Sequence, residues 1–303
     1  MHTSGKLWQT EIPKDTRLAI ALGCFDGVHV GHRALLKEVI EDNNGLVSAI
    51  WTFSEPLTKP YIEKVENRIR ICAGLGVSLA ICESFERFKA MSAAAFVEYL
   101  ANTLNVAKIV CGEDFRFGNG REGDVDFLKT ECERYGIELK VVAPVYTEIN
   151  GRKEKVSSTL IRKLITEGDA AKVSALLGKP FTMSGVVVSG NNLGRTIQVP
   201  TLNQRLEPGR IVPKNGVYAS TCTVNGKSYP AVTNIGTRPT VIAGSHEQNC
   251  ETHIIGEKLD LYGEIVSVNL YEYIRPETKF ASLPELREQI AKDIEFSSIY
   301  FNK

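Results

Sequence analysis

Two histidines three residues apart, His29 and His32, stand among Gly23, Gly27 and Gly31 in the run GCFDGVHVGH (23–32). Imidazoles donate N–H groups, and glycine lets backbone approach an anion closely. Residues of these types at this spacing suit a grip on one phosphate group. A second set lies far along the chain. In Pro200-Thr201-x-Asn203 a hydroxyl and an amide carbonyl are hard oxygen donors suited to Mg²⁺ carrying nucleotide phosphates. Glu251, which opens ETHI (251–254), is the candidate base, because a primary alcohol being phosphorylated must lose its proton to a placed acceptor. Gly185, Gly190 and Gly194, with Arg195, read as a loop that closes over phosphates. Two further segments carry polar groups: GEDFRFGNGREG (112–123), with Asp114, and VSSTLIR (156–162), with Ser158, Thr159 and Arg162. Taken alone, the first also reads as a flexible surface loop and the second as a Ser/Thr helix cap.

The elements that must hold these groups follow from periodicity. LAIALG (18–23), LVSAIWTF (46–53), VSLAIC (77–82), VAKIVCG (106–112) and IELKVV (137–142) are strand-like. Helical spacing separates them, as with Leu35, Leu36, Val39 and Ile40, or Val65, Ile69, Cys72 and Ala73. Ser92 is a plausible N-cap and Gly136 a helix stop. Strands alternating with helices predict a parallel sheet covered on both faces, a Rossmann-like α/β domain. The first phosphate set falls where its first strand hands over to a helix, the place such sheets bind ligands.

Residues 156–178 predict two short helices broken at Gly168-Asp169. Beyond about 182 the pattern turns to alternating strands. Asn225-Gly226 joins two of them as a type I′ hairpin. The chain closes on a helix with Ser282 and Glu285 as a capping box and Leu286, Ile290 and Ile294 on one face. A small antiparallel barrel with one C-terminal helix is expected, with the boundary near 180.

Length and composition agree with this division. At 303 residues the chain suits two domains of roughly 150 each. Lys plus Arg and Asp plus Glu are both 36, and a balanced charge argues against a protein held by the phosphates of a long nucleic acid. Seven scattered cysteines without a CxxC pair predict reduced thiols in a cytoplasmic protein rather than disulfides or a zinc site. No stretch nears the ~18 apolar residues of a membrane span.

The motifs also carry a resemblance. GCFDGVHVGH resembles the HxGH signature of nucleotidyltransferases, and its longer FDGVHxGH form resembles the flavin adenylyltransferases. GEDFRFG and VSSTLIR resemble that group's G-x-D/N-F-x-F-G and S-S-T-x-I-R. From Gly185 onward, PTLN, ETHI, DLYG and IRPETKF follow the order found in riboflavin kinases. Nearly the whole chain thus resembles the bacterial bifunctional riboflavin kinase/FAD synthetase family.

The resemblance implies an FMN adenylyltransferase over 1–180 and a riboflavin kinase over 181–303, the latter a six-stranded Greek-key barrel. It implies conversion of riboflavin to FMN with ATP and Mg²⁺, then of FMN to FAD with a second ATP and release of pyrophosphate. Gly23, Phe25, Asp26, Gly27, His29, Gly31, His32, Asp114, Ser158, Thr159 and Arg162 would serve the adenylyl site. Gly185, Gly190, Gly194, Arg195, Pro200, Thr201, Asn203, Glu251 and Arg275 would serve the kinase, with Thr201 and Asn203 on the metal. An FMN phosphate oxygen is already anionic, so attack on the α-phosphorus of ATP requires no general base, only positioning and charge stabilisation. Partners would be small molecules, with no nucleic acid, no membrane and at most a weak homo-oligomer. The chain departs from the family where TFSEPL (52–57) lacks the histidine of Phe-x-Pro-His-Pro. It departs again where Gln198-Val199 replaces Gly-Phe. Two alternatives remain: a chain with one working half, the adenylyltransferase, and a non-catalytic flavin-binding regulator.

Overall fold

The computed structural model describes residues 15–41, 44–189, 199–239, 246–257 and 259–302. Its packing divides the chain into two compact units, Met1–Ser158 and Thr159–Lys303.

In the first unit, β1 (Leu18–Leu22), β2 (Val47–Phe53), β3 (Leu79–Glu83), β4 (Val106–Gly112) and β5 (Glu138–Val142) form one sheet in the order β3-β2-β1-β4-β5. All four pairings are parallel. Every residue of β1 is buried, as expected for a central strand covered on both faces. Leu18, Ile20 and Leu22 face one apolar layer, and Ala19 and Ala21 the other. The helices between strands are α1 (Val30–Ile40), α2 (Val65–Gly74), α3 (Phe85–Phe88), α4 (Ala93–Glu98), which runs on as a π-helical turn, and α5 (Val125–Tyr135). Their signals are local ones: Ser92 Oγ accepts from the Ala95 N–H, and Gly136 ends α5 at φ 65°. Strand order reverses between β1 and β4, so the chain departs in opposite directions there and leaves a crevice at their carboxyl ends. A hairpin, β6 (Tyr146–Ile149) and β7 (Arg152–Lys155), follows the sheet. Its turn at Asn150-Gly151, with φ values of 50° and 74°, was not anticipated from the sequence.

The second unit begins with α6 (Ser158–Glu167), which spans the division, and α7 (Ala170–Leu177). Helix α7 packs on two barrel strands, so residues expected before a boundary near 180 gather with the barrel. The barrel closes in the order β10-β11-β12-β9-β8-β13. Its strands are β8 (Phe181–Val188), β9 (Leu202–Arg205), β10 (Gly216–Val224), β11 (Lys227–Pro239), β12 (His246–Ile254) and β13 (Ile265–Arg275). All pairings are antiparallel, and the β9–β10 and β12–β13 connections skip neighbours in the Greek-key manner. Asn225-Gly226 turns with φ values of 48° and 79°, the conformation a type I′ hairpin needs. The last helix, α8 (Leu283–Phe301), starts at the expected capping box: the Glu285 N–H donates to Ser282 Oγ, and Ser282 Oγ lies 3.1 Å from Glu285 Oε1. Ser297 Oγ on α8 donates to the Ala231 carbonyl at 2.8 Å, tying the helix to β11.

Candidate functional site

The loop leaving β1 builds the first constellation. His29 caps α1, and its Nδ1 accepts from the His32 N–H at 3.3 Å. A ring nitrogen that accepts places the proton on Nε2. The two imidazoles stack, with centroids 3.7 Å apart and planes 16° from parallel. Gly31 leaves room beside the stack, since a Cβ there would stand 3.1 Å from His29 Cε1 and Nδ1 and press the ring aside by a few tenths of an ångström. Burial pushes the His29 pKa down to about 4, although the Asp26 carboxylate pulls the other way. Burial, then His29 and Arg68, hold His32 well below the usual range. Both rings are therefore neutral at pH 7. His32 Nδ1 is buried and has no hydrogen-bond partner among the described residues.

His29, Gly31, His32, Gly23, Asp114 and Ser158 line one cavity at the β1/β4 crevice. Lys155 of β7 lines it too, with Nζ 2.6 Å from Asp114 Oδ2. That bond, more than any other contact, holds the Asp114 carboxyl below its ordinary pKa. Phe25, Asp26 and Gly27 do not line the cavity; they shape the loop behind it. Asp26 is buried, and its carboxylate accepts from the Ile62 and Glu63 N–H groups and pairs with Arg68 at 3.0 Å. Ser158 Oγ donates to the Asp26 carbonyl at 2.9 Å. Thr159 and Arg162 follow on the first turns of α6, within the second unit.

Segment 112–123 is not the flexible loop it can be read as. Phe117 is buried and forms a bridge with Gly123, and Glu122 Oε1 accepts from the Ala93 N–H at the start of α4. A Cβ on Gly118 or Gly123 would reach Ala93 at 2.7 or 2.8 Å. Gly118 and Gly123 permit this close packing.

The second constellation lies on the barrel wall. Glu251 on β12 pairs with Asn203 on β9 and Asn234 on β11, so the three form one row across adjacent strands. Asn249 Nδ2 donates to Glu251 Oε1 at 2.7 Å and orients the carboxylate. Thr201, Asn234, Glu251 and Arg275 line a cavity beside Leu286, Ile290 and Asp293 of α8. Asn203 is 6% exposed. Pro200 and Thr201 also line a neighbouring cavity with Asp260 and Tyr262, so Thr201 belongs to both walls. His253 Nδ1 lies 2.8 Å from the Pro200 carbonyl.

Two expectations change here. Gly185 lies inside β8, paired with Val266, and not in a phosphate-closing loop; a Cβ there would meet the Arg205 carbonyl at 2.6 Å. Its role is the close approach of two strands. Arg275 reaches the cavity, but its fork is clamped on the buried Asp293 at 2.8–3.1 Å, tying β13 to α8. Gly190, Gly194 and Arg195 lie outside the described residues.

Thr201 and Glu251 bring hydroxyl and carboxylate oxygens to the cavity wall, and Asn203, which lines neither cavity, stands opposite Glu251 in the strand register. Hydroxyl, amide and carboxylate oxygens are chemically a donor set that fits Mg²⁺. No cluster of three His, Cys, Asp or Glu side chains suited to a metal occurs among the described residues. Mg²⁺ that arrives with phosphates needs only one or two protein ligands. None of the seven cysteines forms a disulfide, and burial raises six of the thiols to pKa values of about 11 or 12, leaving them protonated.

A parallel sheet whose crevice holds a histidine pair at a helix start, joined to a closed barrel with a carboxylate flanked by oxygen donors, defines a two-unit enzyme of phosphate-group transfer. Residues 11–160 match the FAD synthetase family model and residues 177–301 the riboflavin kinase model. The bifunctional riboflavin kinase/FMN adenylyltransferase of Escherichia coli K12 is 39% identical over 287 residues, 90% of each chain. That of Bacillus subtilis is 32% identical over 305 residues, covering 95% of this chain and 94% of the relative. A crystal structure described as a macrolide-efflux protein from Streptococcus pneumoniae superposes with TM-score 0.85 at 30% identity, over 95% of this chain and 96% of that one. Among the described residues no helix is long and apolar enough to cross a membrane. The chain belongs to the bifunctional riboflavin kinase/FMN adenylyltransferase family.

Proposed function

We propose that the chain performs two ATP-dependent transfers: phosphorylation of riboflavin to FMN in the barrel unit, and adenylylation of FMN to FAD with release of pyrophosphate in the α/β unit. One observation carries this reading. Each unit gathers its own set, His29, His32, Asp114 and Ser158 in one case and Thr201, Asn234 and Glu251 in the other, around its own cavity.

In the barrel, Glu251 accepts the proton of the riboflavin hydroxyl as that oxygen attacks the terminal phosphorus of ATP, the bond from that phosphorus to the β–γ bridging oxygen breaks and ADP leaves. The cavity beside α8 takes the alcohol, and the cavity lined by Pro200, Asp260 and Tyr262 takes the nucleotide. The phosphoryl group crosses at Thr201, the residue common to both walls. Thr201 and Asn203 would hold Mg²⁺, whose charge offsets that of the phosphates. In the α/β unit, FMN phosphate is its own nucleophile. His29 Nε2–H and the free amides at the start of α1 steady the charge that builds on pyrophosphate. Asp26, Phe25 and Gly27 keep that loop in shape, and Ser158 serves the phosphates from the cavity wall. The substrates are small molecules, no nucleic acid is required, any self-association is weak, and the compartment is the cytoplasm.

Purified protein incubated with riboflavin and Mg-ATP should yield FMN and then FAD on flavin chromatography, and FMN supplied directly should yield FAD. Absence of both products from folded protein rejects the reading. Gly31→Ala should lower FAD formation only several-fold, well short of the roughly 10²-fold that a 1 Å misplacement produces, because its Cβ shifts the His29 ring by a few tenths of an ångström. FMN formation, measured in the same samples, should be unchanged.

A further inference from the structure

The loop that carries the histidine pair is held in an unfavourable shape. Phe25 and Val28 have φ values of 50° and 45°, either side of Gly27 at 87°. Left-handed backbone is disfavoured for residues with a Cβ, most of all when β-branched. Such conformations persist only where the surroundings over-determine them. Phe25 and Val28 are fully buried, yet burial alone does not fix a dihedral angle.

Thr52 Oγ1 donates to the Cys24 carbonyl and Arg33 Nε to the Val28 carbonyl, each at 3.3 Å, but Arg68, on the first turn of α2, holds the loop at two residues at once. Its NH1 donates to the Cys24 carbonyl at 2.9 Å, its NH2 lies 3.0 Å from Asp26 Oδ1, and its Nε donates to the Glu63 carbonyl at 2.8 Å. The guanidinium therefore grips the loop on both sides of left-handed Phe25 and anchors it to the start of α2. Its side chain is 3% exposed, so the plane is fixed by packing as well as by bonds. A rigid fork reaches three acceptors at set angles; a lysine ammonium on a flexible stem does not. The same guanidinium bears electrostatically on His32, helping to keep that ring uncharged.

We propose that Arg68 is the positioning residue of the adenylyl-transfer site, acting through Cys24 and Asp26 to aim the His29/His32 pair without touching substrate. This rests on the reading of that cavity as the site of FAD formation. Arg68 sets the loop, the loop sets the N-cap, and the N-cap sets where the His29 Nε2–H points.

The test compares wild type with Arg68→Met, Arg68→Lys, Asp26→Asn and the Arg68→Met/Asp26→Asn double variant in the full chain. Steady-state FAD formation from FMN gives kcat and KM for ATP, and thermal unfolding is followed in parallel. Arg68→Met should lower kcat by at least 30-fold while KM for ATP changes less than threefold. Arg68→Lys should recover no more than a tenth of the lost rate, and the double variant should lie within threefold of the worse single one. FMN formation from riboflavin should be unchanged throughout. Wild-type kcat in Arg68→Met or Arg68→Lys overturns the proposal. So does a loss confined to KM, or multiplicative effects of the Asp26 and Arg68 substitutions. If Arg68→Met fails to fold, Arg68→Lys and Asp26→Asn decide alone by the same kcat criterion. Failure of the underlying reading looks different: wild type itself would then form no FAD from FMN.

Discussion

Glu251→Gln is expected to stop FMN formation while conversion of FMN to FAD continues at the wild-type rate. Glutamine keeps the size of the side chain and its place opposite Asn203 and Asn234, so the barrel should not repack. What it lacks is an oxygen that can take the hydroxyl proton. Loss of a placed general base removes roughly 10²–10⁴ in rate. Supplying either riboflavin or FMN to the same preparation separates the two reactions, and equal loss of both would contradict separate sites.

The reverse pattern is expected of His29→Ala combined with His32→Ala. Deleting one preorganised donor in comparable anion sites costs about 2.7–4 kcal/mol, so removing the pair should lower FAD formation by roughly 10³-fold or more while FMN formation persists. The histidines also set a pH expectation. Because burial lowers the His29 pKa to about 4, the wild-type adenylyl-transfer rate should show no histidine limb between pH 8 and 5.5. Imidazole NMR signals that titrate near pH 6.5 would mean the rings behave as if exposed, whereas the rate itself also follows the FMN phosphate, whose second ionisation lies at about 6. The stability linkage runs the same way. The unfolded chain takes up protons on these rings near 6.5 before the folded one does. Stability should therefore be lost as pH falls from about 6.5 towards 4, and regained in His29→Ala/His32→Ala. Chemical denaturation at pH 7 and 5 would measure it.

Features written in neighbouring residues were legible before the structure. The five parallel strands, the Gly136 stop, the Asn225-Gly226 turn and the Ser282/Glu285 box are all set by local sequence, and each appears where the pattern puts it. The FDGVHxGH run was legible as the turn from β1 into α1 because strand, turn and helix start are contiguous. What escaped was the pairing of distant groups. Arg68 stands between Val65, Ile69 and Cys72 on the buried face of α2; a charge on an apolar stripe was the available sign, but nothing local names Asp26 and Cys24 as its partners. Arg275 reads as a ligand-binding arginine until Asp293 of α8 is brought against it. Gly185 and Gly118 look like loop glycines, and only the approach of Arg205 and Ala93 reveals why no side chain fits. The four-residue β9 is too short to show alternation, yet it delivers Asn203 to Glu251.

Glu251 and its neighbour Thr252 look in opposite directions: one borders the cavity beside α8, and the other is fully buried, with its hydroxyl 3.0 Å from that of Thr233. Removing a single residue from β12 ahead of Glu251 would exchange their sides, sending a carboxylate into the barrel and leaving a threonine in its place outside. Insertions and deletions of odd length within that strand should thus be lethal to phosphorylation, whereas changes of length in the connecting segments leave the two-sided frame intact.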